Sequence, residues 1–420
     1  MTPVAHSPKE GYRTIRLPLA ESTYDRFLTN RAYAKAGLEE FYEDVPALLP
    51  DAFPWGYAFC GFTEPSRTQQ LCCRRMRLEQ GCMVFTVAPA FVMPSMTGRT
   101  HDVDDALFLR RFHVPCWAIA AVFGRDPMYW YRLAQGLGRC SVVGTTVKRA
   151  DRFPTDLVAD EKPSWLKGER VSSATTAGQA CMLGASISTS AGQADLPEAS
   201  GVLAEEAQAV DPDDAPDTVH TDGWQPTQGA WTALLANVTL LLCCLHAFLK
   251  IRDRTTQAVG AVGQVVHKRV WDAYHAPRKR AFSPRVRRLK AWAENALPDG
   301  TMKSHTLDWC AKRAQCMQRY DHGYAHRTSN LVDRLRKLLD RACFNGQYFH
   351  GTFESAESRV RALGLLWNFC PSSPETVKKY AGQACPAERL HGKRYADNGL
   401  ETLLVAGSRN GVEQDPQNPL

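Results

Sequence analysis

No two of the chain's 14 cysteines form a Cys-x-x-Cys pair. In a chain of 420 residues, long enough to bury its own cores, that argues against a zinc ribbon and against a disulfide framework. Reduced thiols in a cytoplasm are the expectation. Cys60, Cys72, Cys73 and Cys82 stand near one another, but at no zinc-ligand spacing, so they are read as buried free thiols. A secretory signal core is also missing. Residues 1–11 are polar and include Pro3 and Pro8. No apolar run reaches the roughly 20 residues of a membrane helix. The most apolar stretch, residues 238–249, reads as a buried strand entering a helix, so no membrane partner is expected.

What is present is ordinary globular material with an uneven charge distribution. Apolar residues make up 44% and charged residues 23%, enough for two or three packed domains without staples. The net charge of +7 is modest, but its placement is not even. His267, Lys268, Arg269, Arg278, Lys279, Arg280, Arg285, Arg287, Arg288 and Lys290 crowd one stretch, interleaved with Trp271, Tyr274, Phe282 and Trp292. A solvated helix face could carry such a run. The aromatic interleaving favours nucleic acid, since bases stack and phosphates pair.

The periodicities divide the chain into six segments. Residues 1–100 read as a small mixed region. Residues 101–150 are helical: Pro115 can open a helix, Gly124 can close it, and a second helix follows Arg125, Asp126 and Pro127. Two short helices across a glycine turn suit either a helix-turn-helix or a plain helical hairpin. In the first case Tyr129, Tyr131 and Arg132 are candidate DNA contacts. Residues 151–250 alternate in type: strands at 156–160, 169–176 and 181–189, a helix at 197–210, a strand at 218–222, a helix at 225–235 and a strand at 238–243. Residues 251–325 form a basic, all-helical insertion, and Arg278, Lys279, Arg280, Arg287 and Arg288 are its candidate DNA contacts. Residues 326–370 return to the core, and 371–420 read as a loop-rich tail ending in disorder.

Three strands, helix, strand, helix, strand is the element order of a ribonuclease H-like domain. The fold class expected is therefore α/β, a ribonuclease H-like core with a helical insertion, preceded by the helix-turn-helix-like region. In that fold the fourth strand lies beside the first, which brings Asp160 and Asp222 together at adjacent strand ends. Phosphodiester chemistry with two magnesium (or manganese) ions needs two or three carboxylates at one point. Asp160 ends an apolar strand, with Asp156 and Glu161 as local rivals. Asp222 precedes Gly223 and could equally be an Asp-Gly turn residue. Asp333 begins a helix with Leu331, Leu335, Leu338 and Leu339, where Asn330 and Asp333 could also form a capping box. Glu354 and Glu357 are alternatives for this third position. Cys243 and His246 stand three apart after the fifth strand, too few for a metal site by themselves.

These residues resemble bacterial insertion-sequence transposases of the Mutator-like group with an acidic (DDE/D) triad. The carriers are residues 157–162 around Asp160, 219–224 around Asp222, 243–246 with Cys243 and His246, and 328–335 around Asp333. The resemblance covers roughly residues 100–405. It implies metal ligation by Asp160, Asp222 and Asp333, with Glu354 as the alternative third acid. Cys243, His246, Arg327 and Asn330 would support the site. The wider group commonly has Glu as its last acid, where this chain has Asp333. The implied activity is DNA cleavage and strand transfer at terminal inverted repeats, by a homodimer or larger assembly acting on target DNA. An inactive transposase-derived DNA-binding protein and a structure-specific nuclease on the same fold are the alternatives.

Overall fold

A computed structural model describes residues 13–94, 96–189, 195–210, 216–235, 237–243, 260–323 and 330–411. It is mixed α/β and contains two mixed sheets. The first has the order β1–β4–β3–β2, from β1 (Thr14–Leu17), β2 (Tyr57–Phe62), β3 (Arg74–Leu78) and β4 (Val84–Pro89). Along β3, Arg74, Met76 and Leu78 are buried while Arg75 and Arg77 are exposed, the period of a half-buried strand. The inward Arg74 is kept from being an orphan charge by the end of α1 (Glu21–Thr29). Its guanidinium donates to the carbonyls of Phe27 (3.1 Å) and Leu28, where a helix end leaves acceptors open.

Next come α2 (Arg31–Asp44), α3 (Thr100–Arg111), α4 (Cys116–Phe123), α5 (Pro127–Gly136) and α6 (Val142–Thr146). Pro115 and Gly124 bracket α4 as expected, Gly124 with a φ of +74°. The second sheet follows: β5 (Asp156–Leu166), β6 (Glu169–Gly178), β7 (Cys181–Ser188), β8 (Thr218–Thr221) and β9 (Thr239–Leu242), in the order β7–β6–β5–β8–β9. The first three form an antiparallel meander. β8 then pairs parallel with β5, and β9 parallel with β8. α7 (Leu196–Gln208) and α8 (Gln225–Leu234) make the crossovers and cover one face, where Leu203 and Trp231 pack on Leu157, Ala159, Leu183 and Val219.

Four helices continue the chain: α9 (Gly260–Tyr274), α10 (Lys279–Ala296), α11 (Thr301–Ala311) and α12 (Arg313–Gln318). They enclose a small core of their own, which takes in Leu242 at the end of β9. α13 (Asn330–Asn345) then covers the other face of the second sheet, with Leu335, Leu339 and Ala342 against Val171, Ala177 and Ile187. α14 (Phe353–Phe369) joins the two halves. Val360 and Leu363 face the second sheet, while Leu365, Leu366 and Phe369 enter the core of the first. Among the described residues no helix is long and apolar enough to cross a membrane.

Two expectations need correction. Residues 371–411 are not loop-rich: they hold α15 (Pro374–Lys379), α16 (Pro386–His391) and α17 (Gly399–Ala406). The side chain of Asn398 caps α17, accepting from Glu401 N–H at 2.6 Å, and Leu400, Leu403, Leu404 and Val405 are buried in the first core. The apolar run outweighs the prolines and glycines around it. The four N-terminal thiols are free but not buried. Cys60 and Cys82 are exposed, and Cys72 and Cys73 are half-buried.

Candidate functional site

The register of β5 against β8 sets the geometry. Asp156 is paired with Thr218, Leu157 with Val219 and Val158 with His220. Asp160 and Asp222 each stand two residues beyond that last pair. Alternation along β5 puts Asp160 on the face covered by α13, the opposite face from Leu157 and Ala159. The strand does not end at Asp160, as its sequence suggested. β6 keeps pairing with it as far as Leu166, while β8 stops at Thr221. Asp160 thus lies where the parallel partner leaves the sheet. In α/β sheets such an opening beyond the strand carboxyl ends is a usual place for ligands.

Asp222 is held by the turn its sequence announces. Its Oδ1 accepts from Trp224 N–H at 2.8 Å, and Gly223 has a φ of +86°. A Cβ on Gly223 would come within 2.3 Å of Leu242 Cδ1, so glycine is needed both for the angle and for the space. Cys243 is buried, and its N–H donates to Thr221 O at 2.8 Å, which carries the β8–β9 pairing up to the residue before Asp222. The turn and the candidate ligand are therefore the same feature: the turn fixes where the carboxylate stands.

The local rivals have other surroundings. Glu161 faces away from Asp160 and accepts from Thr227 Oγ1 of α8. Asp156 accepts from Thr218 Oγ1 at 2.6 Å, at the start of the strand. The alternative third acids also separate. Glu354 is exposed in the first turn of α14, and Glu357 accepts from Ser186 Oγ at 2.9 Å. Ser186 is on the edge strand β7, two strands from β5, or roughly 10 Å.

Asp333 lies on α13, and the direction of that helix can be read from its later turns. Asp340 pairs with Lys162, and Phe349 bridges to Leu166. The helix backbone therefore advances along β5, and its first turns lie on the Asp160 side of Lys162. The side chains of Asp333 and Asn330 lie outside the described residues, as do His246 and Arg327 altogether. Among the described residues no three His, Cys, Asp or Glu side chains gather to hold a metal ion.

The sequence did not single out Lys312. It follows α11 and belongs to the helical insertion, yet its Nζ lies 3.6 Å from the point where a Gly223 Cβ would stand. Nothing local distinguishes it from other exposed lysines, because its nearness to Asp222 is purely tertiary.

The candidate DNA contacts divide. On α5, Trp130, Leu133 and Ala134 are buried in the first core. The Tyr129 hydroxyl donates to Thr97 O, and the Tyr131 hydroxyl lies 3.3 Å from Ser355 Oγ of α14, which leaves Arg132 as the exposed one of the three. That packing suits a helical hairpin. On α10, Phe282, Val286, Leu289 and Ala293 face inward, while Arg280, Arg287 and Arg288 are exposed. Arg278, Lys279 and Arg280 crowd the amino end of this helix, and Lys279 pairs with Asp321. Cations there oppose the helix dipole by about 0.3–1 kcal/mol each, so local stability does not explain them. Compared with known proteins, the chain matches no protein-family model, and no curated protein is similar enough to count as a relative.

Proposed function

We propose that the chain is a DNA transposase, a metal-dependent enzyme that cleaves and rejoins DNA strands on a ribonuclease H-like core. The observation that supports this is the 3-2-1-4-5 order of the second sheet, with Asp160 and Asp222 each two residues beyond the last β5–β8 pair, Val158 with His220. The residues suit hard divalent cations: two aspartates at one sheet opening, and a third, Asp333, on the helix that covers the same face. Magnesium bound there would lower the charge on the attacking and leaving oxygens.

The chain's own residues do the positioning. Asp160 and Asp222 offer carboxylate oxygens at fixed points of the sheet, Lys312 offers a cation beside the Asp222 turn, and the outer face of α10 holds the DNA backbone. Water adds to the phosphorus as the bond to the 3′ oxygen breaks. The proton lost by the water is balanced by the one the 3′ oxygen gains. That 3′-hydroxyl then attacks a target phosphodiester in the same way, so one ester bond forms as another breaks. The partners are DNA ends, target DNA and a second copy of the chain.

Asp160→Asn tests the proposal. Magnesium-dependent cleavage of DNA carrying the element's ends is expected to fall by about 100-fold or more, with DNA affinity unchanged, while Glu354→Gln keeps its activity. Full cleavage by Asp160→Asn would remove the catalytic assignment. Joined products separate a transposase from a nuclease, and binding without cleavage under any divalent metal would mark an inactive descendant.

A further inference from the structure

A cavity of about 410 Å³ lies at the seam of β5, β6 and α13, and the proposed chemistry makes no use of it. Its floor is the face of β5 that carries Asp160. Lys162 and Ser164 line it from β5, and Ser173 and Thr175 line it from β6. Thr175 is the direct cross-strand partner of Asp160, and Ser173 that of Lys162. The cavity therefore reaches the cross-strand neighbour of the acid and runs on along the strand.

Two floor hydroxyls point to a polar occupant. Ser173 is 7% exposed, and its Oγ has no hydrogen-bond partner among the described residues. Ser164 is 5% exposed, and its Oγ has only the weakly bonding Cys343 thiol beside it. A buried hydroxyl left so is destabilising unless a ligand or water satisfies it. At the mouth stand two aromatic residues, Phe344 (74% exposed) and Tyr348 (39% exposed). Lys162 adds a cation at the same site, shared with Asp340.

The matching ligand has a flat face for the aromatic rings, donors and acceptors on its edge for the hydroxyls, and negative charge beside it. We propose that the cavity receives one unpaired nucleobase of the DNA strand whose phosphate lies at Asp160. Its place beside a reacting phosphate rests on the strand-cleavage proposal. The recognition chemistry does not. An apolar ligand would leave both serine hydroxyls unsatisfied, and a paired base keeps its edge engaged with its complement.

The test titrates the full-length protein into an oligothymidylate about ten nucleotides long, carrying a single 2-aminopurine. Stacking in the cavity quenches the 2-aminopurine fluorescence. Phe344→Ala and Tyr348→Ala are each expected to weaken binding of this probe about 5- to 100-fold, with affinity for a fully paired duplex unchanged. Ser173→Val, which fills the floor, removes the quench. Phe344 is so exposed that its loss leaves the fold intact, and thermal unfolding checks this. An unquenched probe means that only water enters, a quench that survives both aromatic substitutions means that the base stacks elsewhere, and either result overturns the proposal. Cleavage by the parent chain, measured beside the quench, separates the two ideas. A parent chain that quenches the probe but cleaves no DNA under any divalent metal keeps the base site and removes the transposase reading. One that cleaves but does not quench does the reverse.

Discussion

Gly223 shows how a single backbone angle can fix a carboxylate. With φ at +86° and Leu242 Cδ1 2.3 Å from any added Cβ, Gly223→Ala strains the turn and displaces the buried Leu242 side chain. The expected cost is about 1–3 kcal/mol of stability, read as a lower thermal midpoint. Cleavage should fall further than the unfolded fraction explains, because Asp222 moves with the turn. Lys312 gives a cleaner test, since it is exposed. Lys312→Gln is expected to leave the thermal midpoint in place and slow cleavage by about tenfold, the effect of roughly 1.4 kcal/mol at the transition state. An unchanged rate would detach the insertion from the chemistry. The two aspartates stand out in the sequence because each follows a short apolar run, although β5 continues past Asp160, and the glycine after Asp222 announced the turn. Lys312 was not legible, because no spacing along the chain encodes an approach made across 89 residues of fold.

Elements were legible where hydrophobic period and length agreed. All five strands of the second sheet and the two crossover helices begin within one residue of where their patterns put them, and β5 alone runs well past its expected end. The miss at β5 has a physical cause. Lys162, Pro163 and Ser164 look like a loop, yet their backbone pairs with β6, and the polar face of the strand lines a cavity rather than a core. α17 was missed for the opposite reason, its apolar run being too short to stand out among glycines. α10 carries the prediction at this scale. Its amphipathic pattern leaves Arg280, Arg287 and Arg288 outward, so replacing each by Glu should weaken DNA binding and flatten its salt dependence, by about 0.9 in slope for each phosphate no longer neutralised. Lys279→Glu should change the slope less, since Asp321 already neutralises that lysine. Equal slopes for all four variants would place the DNA elsewhere.

At the scale of the whole molecule, α14 makes the two sheets one structure, and that coupling has a pH signature. Asn368 of α14 accepts from Met182 N–H at 2.8 Å and donates to Met182 O at 2.7 Å, tying the helix to the start of β7. Two buried imidazoles lie near this junction of the halves. Burial, with Lys148 nearby, pulls His391 down to about 4. Burial, with Arg110, Arg341 and Arg359 around it, pulls His113 down to about 4 as well. Both are neutral in the folded chain at pH 7, while in the unfolded chain they take up a proton near 6.5. Between those values the unfolded state binds more protons, so stability rises with pH in that window. It is fully present above about 6.5 and is lost as pH falls toward 4, by at most about 3 kcal/mol for each imidazole. Urea unfolding should therefore show a midpoint that drops from pH 7 to pH 5. His391→Gln and His113→Gln should each reduce that drop, and a midpoint that stays level over this range in the parent chain would show that neither ring is held neutral. Because both rings lie by the packing that joins the halves, the first and second sheets should lose their structure in one transition as the pH is lowered, with tryptophan fluorescence and far-ultraviolet circular dichroism changing together.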